Sequence, residues 1–179
     1  MQKKKSSEEL LRESALELFS RCPVDKVSVS MICENCGVSQ RTFYNHFKDR
    51  NDLITRVYTE VLDEVVILYG DSRTLHDYIC ALVRNICDYS NFYVNVVRYT
   101  GQNNFRLSIF QPLKDCICEL ISVKHHDDIT EELLNEIDFY LFGCIGYMEH
   151  NLLLNNIIPA EITIPVFEKM IPPLLVKYL

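Results

Sequence analysis

The sequence predicts an all-α fold, and three observations predict it. Apolar residues recur at i, i+3, i+4 and i+7 through most of the chain, the period of helices with a buried face. Ser6-x-x-Glu9 and Thr74-x-x-Asp77 place a hydroxyl three residues before an acid, the mark of a helix start. Five Gly and six Pro in 179 residues are too few for a turn-rich β-fold.

The first helix opens at Ser6 and carries Leu11, Ala15, Leu18 and Phe19 on one face. Val24 to Val27 connects it to a short second helix, with Val29, Ile32, Cys33 and Cys36 at helical spacing and Ser28 at its N-cap. Gly37 stands where a left-handed C-cap is needed, Val38 plugs the angle, and Ser39 caps a third helix, Gln40 to His46. That helix is polar outward, with Phe43 and Phe47 pointing in. Helix, three-residue turn, helix is the layout that lays a second helix in the major groove of DNA. Gln40, Arg41 and Asn45 then reach base edges, since Arg pairs with guanine and Gln or Asn with adenine. Lys48 and the next helix start, capped by Asp49, hold a phosphate by charge and free N–H groups. Met1 to Lys5 is a basic arm, either a solvated tail or a minor-groove arm.

From Arg50 the apolar series Leu53, Val57, Val61 and Val65 predicts a long helix to about Tyr69, ended by Gly70-Asp71-Ser72. Further helices are expected from Thr74 to about Tyr89, from Asn91 to Tyr99 (broken near Gly101-Gln102-Asn103), and from Phe105 to Val123. Pro112 should kink the last of these or mark its true start. Thr130 to about Asn155 carries apolar stripes on two sides, so it is buried once in its own domain and once elsewhere. A final helix spans Thr163 to Tyr178, bent by Pro172-Pro173. Gly143-x-x-Gly146 lets another helix approach closely. Phe142, Gly143, Gly146, Leu153, Phe167, Ile171 and Leu174 are the expected face for a second copy, giving a four-helix homodimer interface. Tyr78, Phe92, Tyr93, Tyr99, Phe110, Tyr140 and Tyr147 either line a small-molecule pocket or form ordinary core.

Composition narrows the function classes. The net charge of −7 divides unevenly: residues 1 to 58 hold ten Lys/Arg against eight Asp/Glu, the remainder eight against seventeen. Positive charge thus gathers at Lys3-Lys4-Lys5, Arg41, Lys48 and Arg50, while an acidic second domain confines nucleic-acid contact to one end. No apolar run approaches the ~18 residues of a membrane span, and cytoplasm is the default location. Gly-rich phosphate loops, nucleophile elbows and HExxH-type motifs are absent, so no enzyme, no catalytic residue and no cofactor is expected. Cys33-x-x-Cys36 has ligand-like spacing without a second pair or a His at finger distance, so no metal site is expected. A thiol- or metal-responsive sensor using Cys80, Cys87, Cys116 or Cys144 stays the alternative.

Ala15, Leu18 and Phe19, then Val27 to Ile32, Gly37-Val38-Ser39, Thr42-Phe43-Tyr44-Asn45-His46-Phe47 and Asp52-Leu53 resemble the TetR/AcrR family of one-component bacterial regulators. The resemblance covers about residues 7 to 58. It departs at Cys33 and Cys36, where the family usually has Ala, at Cys22-Pro23 in place of a Gly, and at Arg50 where Lys is common. It implies a three-helix helix-turn-helix DNA-binding domain, residues 1–53, joined by a linker helix of about 50–69 to a helical effector-sensing and dimerisation domain, residues 54–179. DNA contacts are then expected from Ser28, Ser39, Gln40, Arg41, Thr42, Tyr44, Asn45, His46, Lys48 and Arg50, with His46 divided between phosphate contact and packing. The implied protein is a dimeric repressor on a palindromic, double-stranded operator. An unidentified small-molecule effector or protein co-regulator releases it by tilting the linker helix.

Overall fold

A computed structural model describes residues 5–69, 73–99 and 105–178. Every regular element among them is helical. The basic residues Lys3 and Lys4, the stop at Gly70-Asp71-Ser72 and the break at Gly101-Gln102-Asn103 lie outside the described residues.

Helix α1, Ser7–Arg21, starts from the expected capping box: Ser6 Oγ accepts from the Glu9 amide and Glu9 returns the bond to the Ser6 amide. It buries Leu11, Ala15 and Phe19 and ends at Cys22-Pro23, followed by a short 3₁₀ turn, Val24–Lys26. Helix α2, Val29–Cys36, is capped by Ser28, whose side chain accepts from the Met31 amide. Gly37 closes it in the left-handed region at φ 70°, a conformation that strains any side chain with a Cβ. Ser39 then caps α3, Gln40–His46. Buried Phe43 and Phe47 sit 5.6 Å apart beneath α3 and fix it to the rest of the head.

Helix α4, Arg50–Tyr69, runs 20 residues, about 30 Å at 1.5 Å per residue. Its start is sealed reciprocally: Asp49 Oδ1 accepts from the Asp52 amide, and Asp52 Oδ2 accepts from the Lys48 amide. The first amides of this helix are therefore partly spent on its own cap. Leu53, Ile54, Val61, Leu62 and Val65 are buried, so α4 joins the core of the head to that of the following helices. Arg12 Nη2 reaches Glu60 Oε1 at 2.5 Å and ties α1 to α4; burial pushes the Glu60 carboxyl upward.

Helices α5 (Leu75–Asp88), α6 (Ser90–Arg98), α7 (Phe105–Glu119), α8 (Glu131–Leu153) and α9 (Ala160–Lys169) form the second half. The Thr74–Asp77 capping box opens α5, and Thr130 caps α8. Pro112 lies inside α7, which widens into a π turn at Leu120–Lys124. Helix α7 packs on α8, α5 on α9, and both α5 and α7 pack against α4. Helix α6 lies along α1, so the two halves meet at two places rather than only through α4.

The final segment differs from expectation. In place of one bent helix over residues 163–178, α9 ends at Lys169 and a separate 3₁₀ turn covers Pro173–Tyr178. Two consecutive prolines remove two amide donors, and each disfavours the α region for the residue before it. The pair terminates the helix.

Candidate nucleic-acid interface

The outward face of α3 presents Gln40, Arg41, Tyr44, Asn45 and His46, all exposed, with Tyr44 at 57%. Positions 40 and 44, and 41 and 45, stand one turn apart on one side of the helix. Phe43 at 0% and Phe47 at 4% exposure hold that side outward. No carboxylate lies within α3 to oppose a phosphate. Ser39 Oγ accepts from the Thr42 amide and lies 2.8 Å from Thr42 Oγ1, so both hydroxyls first serve the cap. Ser28 likewise spends its oxygen on the Met31 amide. Gln40 donates to Ser30 Oγ at 2.7 Å, which steadies its amide against α2; Ser30 is a member of this face that spacing alone did not single out. Lys48 is exposed at the edge of the face.

Arg50, expected at the phosphates, is half-buried and bonded within the protein. Its Nη1 donates to the carbonyls of Val24 at 2.8 Å and Val27 at 2.6 Å, and its Nη2 to the Tyr99 hydroxyl at 3.1 Å. The guanidinium lies 5.4 Å from the centre of the Tyr99 ring. With three of its five N–H donors so engaged, the fork closes the connector and reaches the end of α6. Asn95 on α6 adds a bond to the Phe19 carbonyl at 2.7 Å. Sequence gave no sign of either link.

The aromatic residues of the second half separate into several sites. Tyr78 and Tyr140 line a cavity of about 70 Å³ enclosed by α5, α7, α8 and α9, with Cys116, Cys144, Ile145, Met148 and Phe167. Phe92 and Tyr93 do not; they pack toward α1 and α7, against Phe19 and Phe105. Tyr99 belongs to the Arg50 clasp, Phe110 stacks on Phe142 at 4.4 Å, and Tyr147 meets Phe167 edge-on at 5.9 Å. Phe92 and Tyr93 are thus buried core that also edges a cleft beside α1, α4 and α5, Tyr99 is a connector, Phe110 is half-buried, and Tyr147 is exposed.

The expected dimer face divides too. Phe142, Leu153 and Leu174 are exposed, and the space beside Gly143 is open. Phe167 at 8% and Ile171 at 7% exposure turn into the protomer's own core. Gly146 faces the Arg106 guanidinium, Nη2 being 3.8 Å from where a Cβ would stand. Phe139, unforeseen, is 82% exposed on the same helix as Phe142, and Met170 is 64% exposed at the end of α9.

All eight cysteines are free. Burial pushes the thiols of Cys33, Cys80, Cys87 and Cys118 up, Cys116 to about 11 and Cys144 to about 12. Among the described residues no group of three His, Cys, Asp or Glu side chains is placed to hold a metal ion, and no helix is long and apolar enough to cross a membrane.

A capped helix-turn-helix with an outward polar helix, joined to a larger helical bundle, defines a DNA-binding transcriptional regulator. Residues 11–57 match the family described as bacterial regulatory proteins, tetR family, and residues 73–171 match the transcriptional regulator C-terminal region. The chain belongs to the TetR family, whose members are transcriptional regulators and not enzymes. It is 35% identical over 68 residues to the uncharacterised HTH-type transcriptional regulator YvdT of Bacillus subtilis (strain 168), a match spanning 35% of this chain and 35% of that protein. The fold resembles the dihydroxyacetone kinase operon activator DhaS, with a TM-score of 0.71, 13% identity, and 96% and 97% of the two chains covered. A TetR regulator from Rhodococcus sp. RHA1 superposes with a TM-score of 0.65 at 16% identity, covering 94% and 96%. The fatty acid degradation regulator FadR of Bacillus halodurans gives 0.57 at 16%, covering 96% and 98%. At these identities the likeness is one of fold.

Proposed function

We propose that the chain is a cytoplasmic, homodimeric repressor that binds a palindromic operator through α3 and leaves it when an effector occupies the C-terminal half. The division at residues 1–53 and 54–179, with α4 as linker, belongs to this reading. The observation that carries it is the exposed face of Gln40, Arg41, Tyr44 and Asn45, fixed by Phe43 and Phe47. Arg41 and Asn45 have the donors that read guanine and adenine, each bidentate pair giving about 1–3 kcal/mol of discrimination. Lys48 supplies a phosphate contact that positions without reading. Exposed Phe139, Phe142, Leu153, Met170 and Leu174 on α8 and beyond α9 supply an apolar face for a second copy. Two readers then address half-sites about 34–36 Å apart.

An effector that favours another arrangement of α5 and α7 shifts α4, changes that separation and lowers operator affinity by the coupling free energy. The thiol-sensor alternative draws little support, because buried, protonated thiols react slowly. Footprinting on DNA flanking the protein's own gene tests the whole reading, and a reporter fused to that DNA gives the sign of regulation. Arg41→Ala should relax sequence preference, while Lys48→Ala should weaken all sequences alike and reduce the salt slope by about 1. If neither substitution alters binding, α3 is not the reader.

A further inference from the structure

Ser30 and Gln40 stand on different helices of the head and meet at one bond. Gln40 Nε2 donates to Ser30 Oγ at 2.7 Å, from the first turn of α3 to the first turn of α2. Gln40 is exposed and Ser30 half-buried, so the bond lies at the edge of the face that α3 presents. A serine within a helix commonly turns its hydroxyl back onto the carbonyl four residues earlier. Ser20 does so onto Leu16 at 2.6 Å, and Ser122 onto Cys118 at 2.7 Å. Ser30 does not. Its oxygen accepts from Gln40, and its own hydrogen has no acceptor among the described residues.

A glutamine amide carries two N–H hydrogens and one acceptor oxygen. With one N–H spent on Ser30, Gln40 keeps one N–H and Oε1, a donor and an acceptor on one rigid plane. That is the combination adenine N7 and N6 answer in the major groove. A long amide held in advance also loses less rotamer freedom when it docks. The first helix of a helix-turn-helix crosses the sugar–phosphate backbone, which leaves the Ser30 hydrogen on the side where phosphates run. We infer that Ser30 is a positioning residue for base reading. It fixes the Gln40 amide so that Gln40 selects adenine at one base pair, and its hydrogen goes to a phosphate oxygen beside that pair. The inference rests on the reading of α3 as the DNA reader given above. A relay from phosphate through Ser30 and Gln40 to adenine joins the contact that sets register to the contact that reads sequence.

The test uses the full chain and a randomised duplex library, which yields the preferred site. Affinity is then measured on that site and on each of its single base-pair changes, for the native protein, Gln40→Ala, Ser30→Ala, the double variant and Ser30→Thr. Gln40→Ala should abolish a preference for adenine at one base pair. Ser30→Ala should lower the preference at that same pair about 2- to 10-fold, the worth of one neutral hydrogen bond, and leave the other positions intact. The double variant should be no less selective there than Gln40→Ala alone. Ser30→Thr, which keeps the hydroxyl, should restore the native ratio. Replacing the phosphates of the site one at a time by uncharged methylphosphonate should find one that weakens the native protein more than Ser30→Ala. A Ser30→Ala effect equal on all sequences would reduce the bond to a plain surface contact and overturn the inference. So would a base other than adenine at the Gln40-dependent pair, additive losses in the double variant, or no phosphate that distinguishes the two proteins. Enrichment of no sequence overturns the reading of α3 and the inference with it, whereas a defined site that ignores Ser30→Ala overturns the inference alone.

Discussion

The DNA-reading head and the helical half behind it both bury residues completely, Ile137 and Leu175 in the second half at 0% exposure, but they differ in what they leave open. In the head, Leu11, Phe19, Ile32 and Phe43 are each 0% exposed, and every helix start is closed by a local cap at Ser6, Ser28, Ser39 or Asp49. In the second half, a cavity of about 70 Å³ persists, and Phe139 and Met170 face outward. The contrast teaches what each half is for. A reader must present the same face to every operator, so it tolerates no slack. On the proposed function, the second half changes shape, and the void and open surfaces are where a ligand and a second copy would bind.

Substitutions break or sharpen this contrast by different amounts. The largest effect is expected from Phe43→Ala, which removes the wedge beneath α3 and should cost about 3–5 kcal/mol in urea unfolding. A cost below 1 kcal/mol would mean the head repacks freely and the contrast is false. Next comes Arg50→Lys. It keeps the charge but loses the fork that joins Val24, Val27 and Tyr99, and should cost about 1.5–3 kcal/mol, the worth of bonds to a charged donor. Its operator affinity should keep the native salt slope, unlike that of Lys48→Ala; a slope that falls by about 1 would return Arg50 to the phosphates.

What was legible in the sequence was what is local. The capping boxes, the Gly37 turn and the inward Phe43 and Phe47 are relations within a few residues, and the α-helical period exposes them directly. The Arg50–Tyr99 bond joins residues 49 apart and Asn95–Phe19 joins residues 76 apart, separations that no periodicity encodes. Aromatic content announced a rich core but not which rings would share a cavity. Phe167 and Ile171 had the right spacing for a partner, yet α9 rests on α5 and turns Phe167 inward, and Ile171, just past the end of α9, is buried with it. Pro172 and Pro173 were visible as an interruption; that they end the helix rather than bend it depends on whether neighbours repair the lost amide bonds.

A smaller effect comes from the caps that seal the head. Ser39→Ala removes the oxygen serving the Thr42 amide and should cost about 1 kcal/mol, most of it as fraying of the turn before Gln40 and Arg41. Operator affinity should fall with it, because the reading residues sit in the first turn. Unchanged affinity despite lost stability would show that DNA itself restores the cap.

The smallest expected effect lies at the far end of the other half. Asp127 accepts from Lys177 Nζ at 2.9 Å and from the Tyr178 hydroxyl at 2.8 Å, tying the loop before α8 to the last turn. The bond from Lys177, then that from Tyr178, holds its carboxyl below the usual carboxylate range. A carboxyl depressed in the folded state contributes stability above its unfolded pKa and loses it as pH falls through the folded one. The pair is solvent-exposed, so screening keeps the contribution slight and salt-sensitive. Asp127→Asn should therefore flatten the acid limb of a stability–pH curve only at low ionic strength, leaving neutral operator binding intact. A loss of binding at neutral pH would mean that the C-terminal turn, and not only α5 and α7, carries strain to the head.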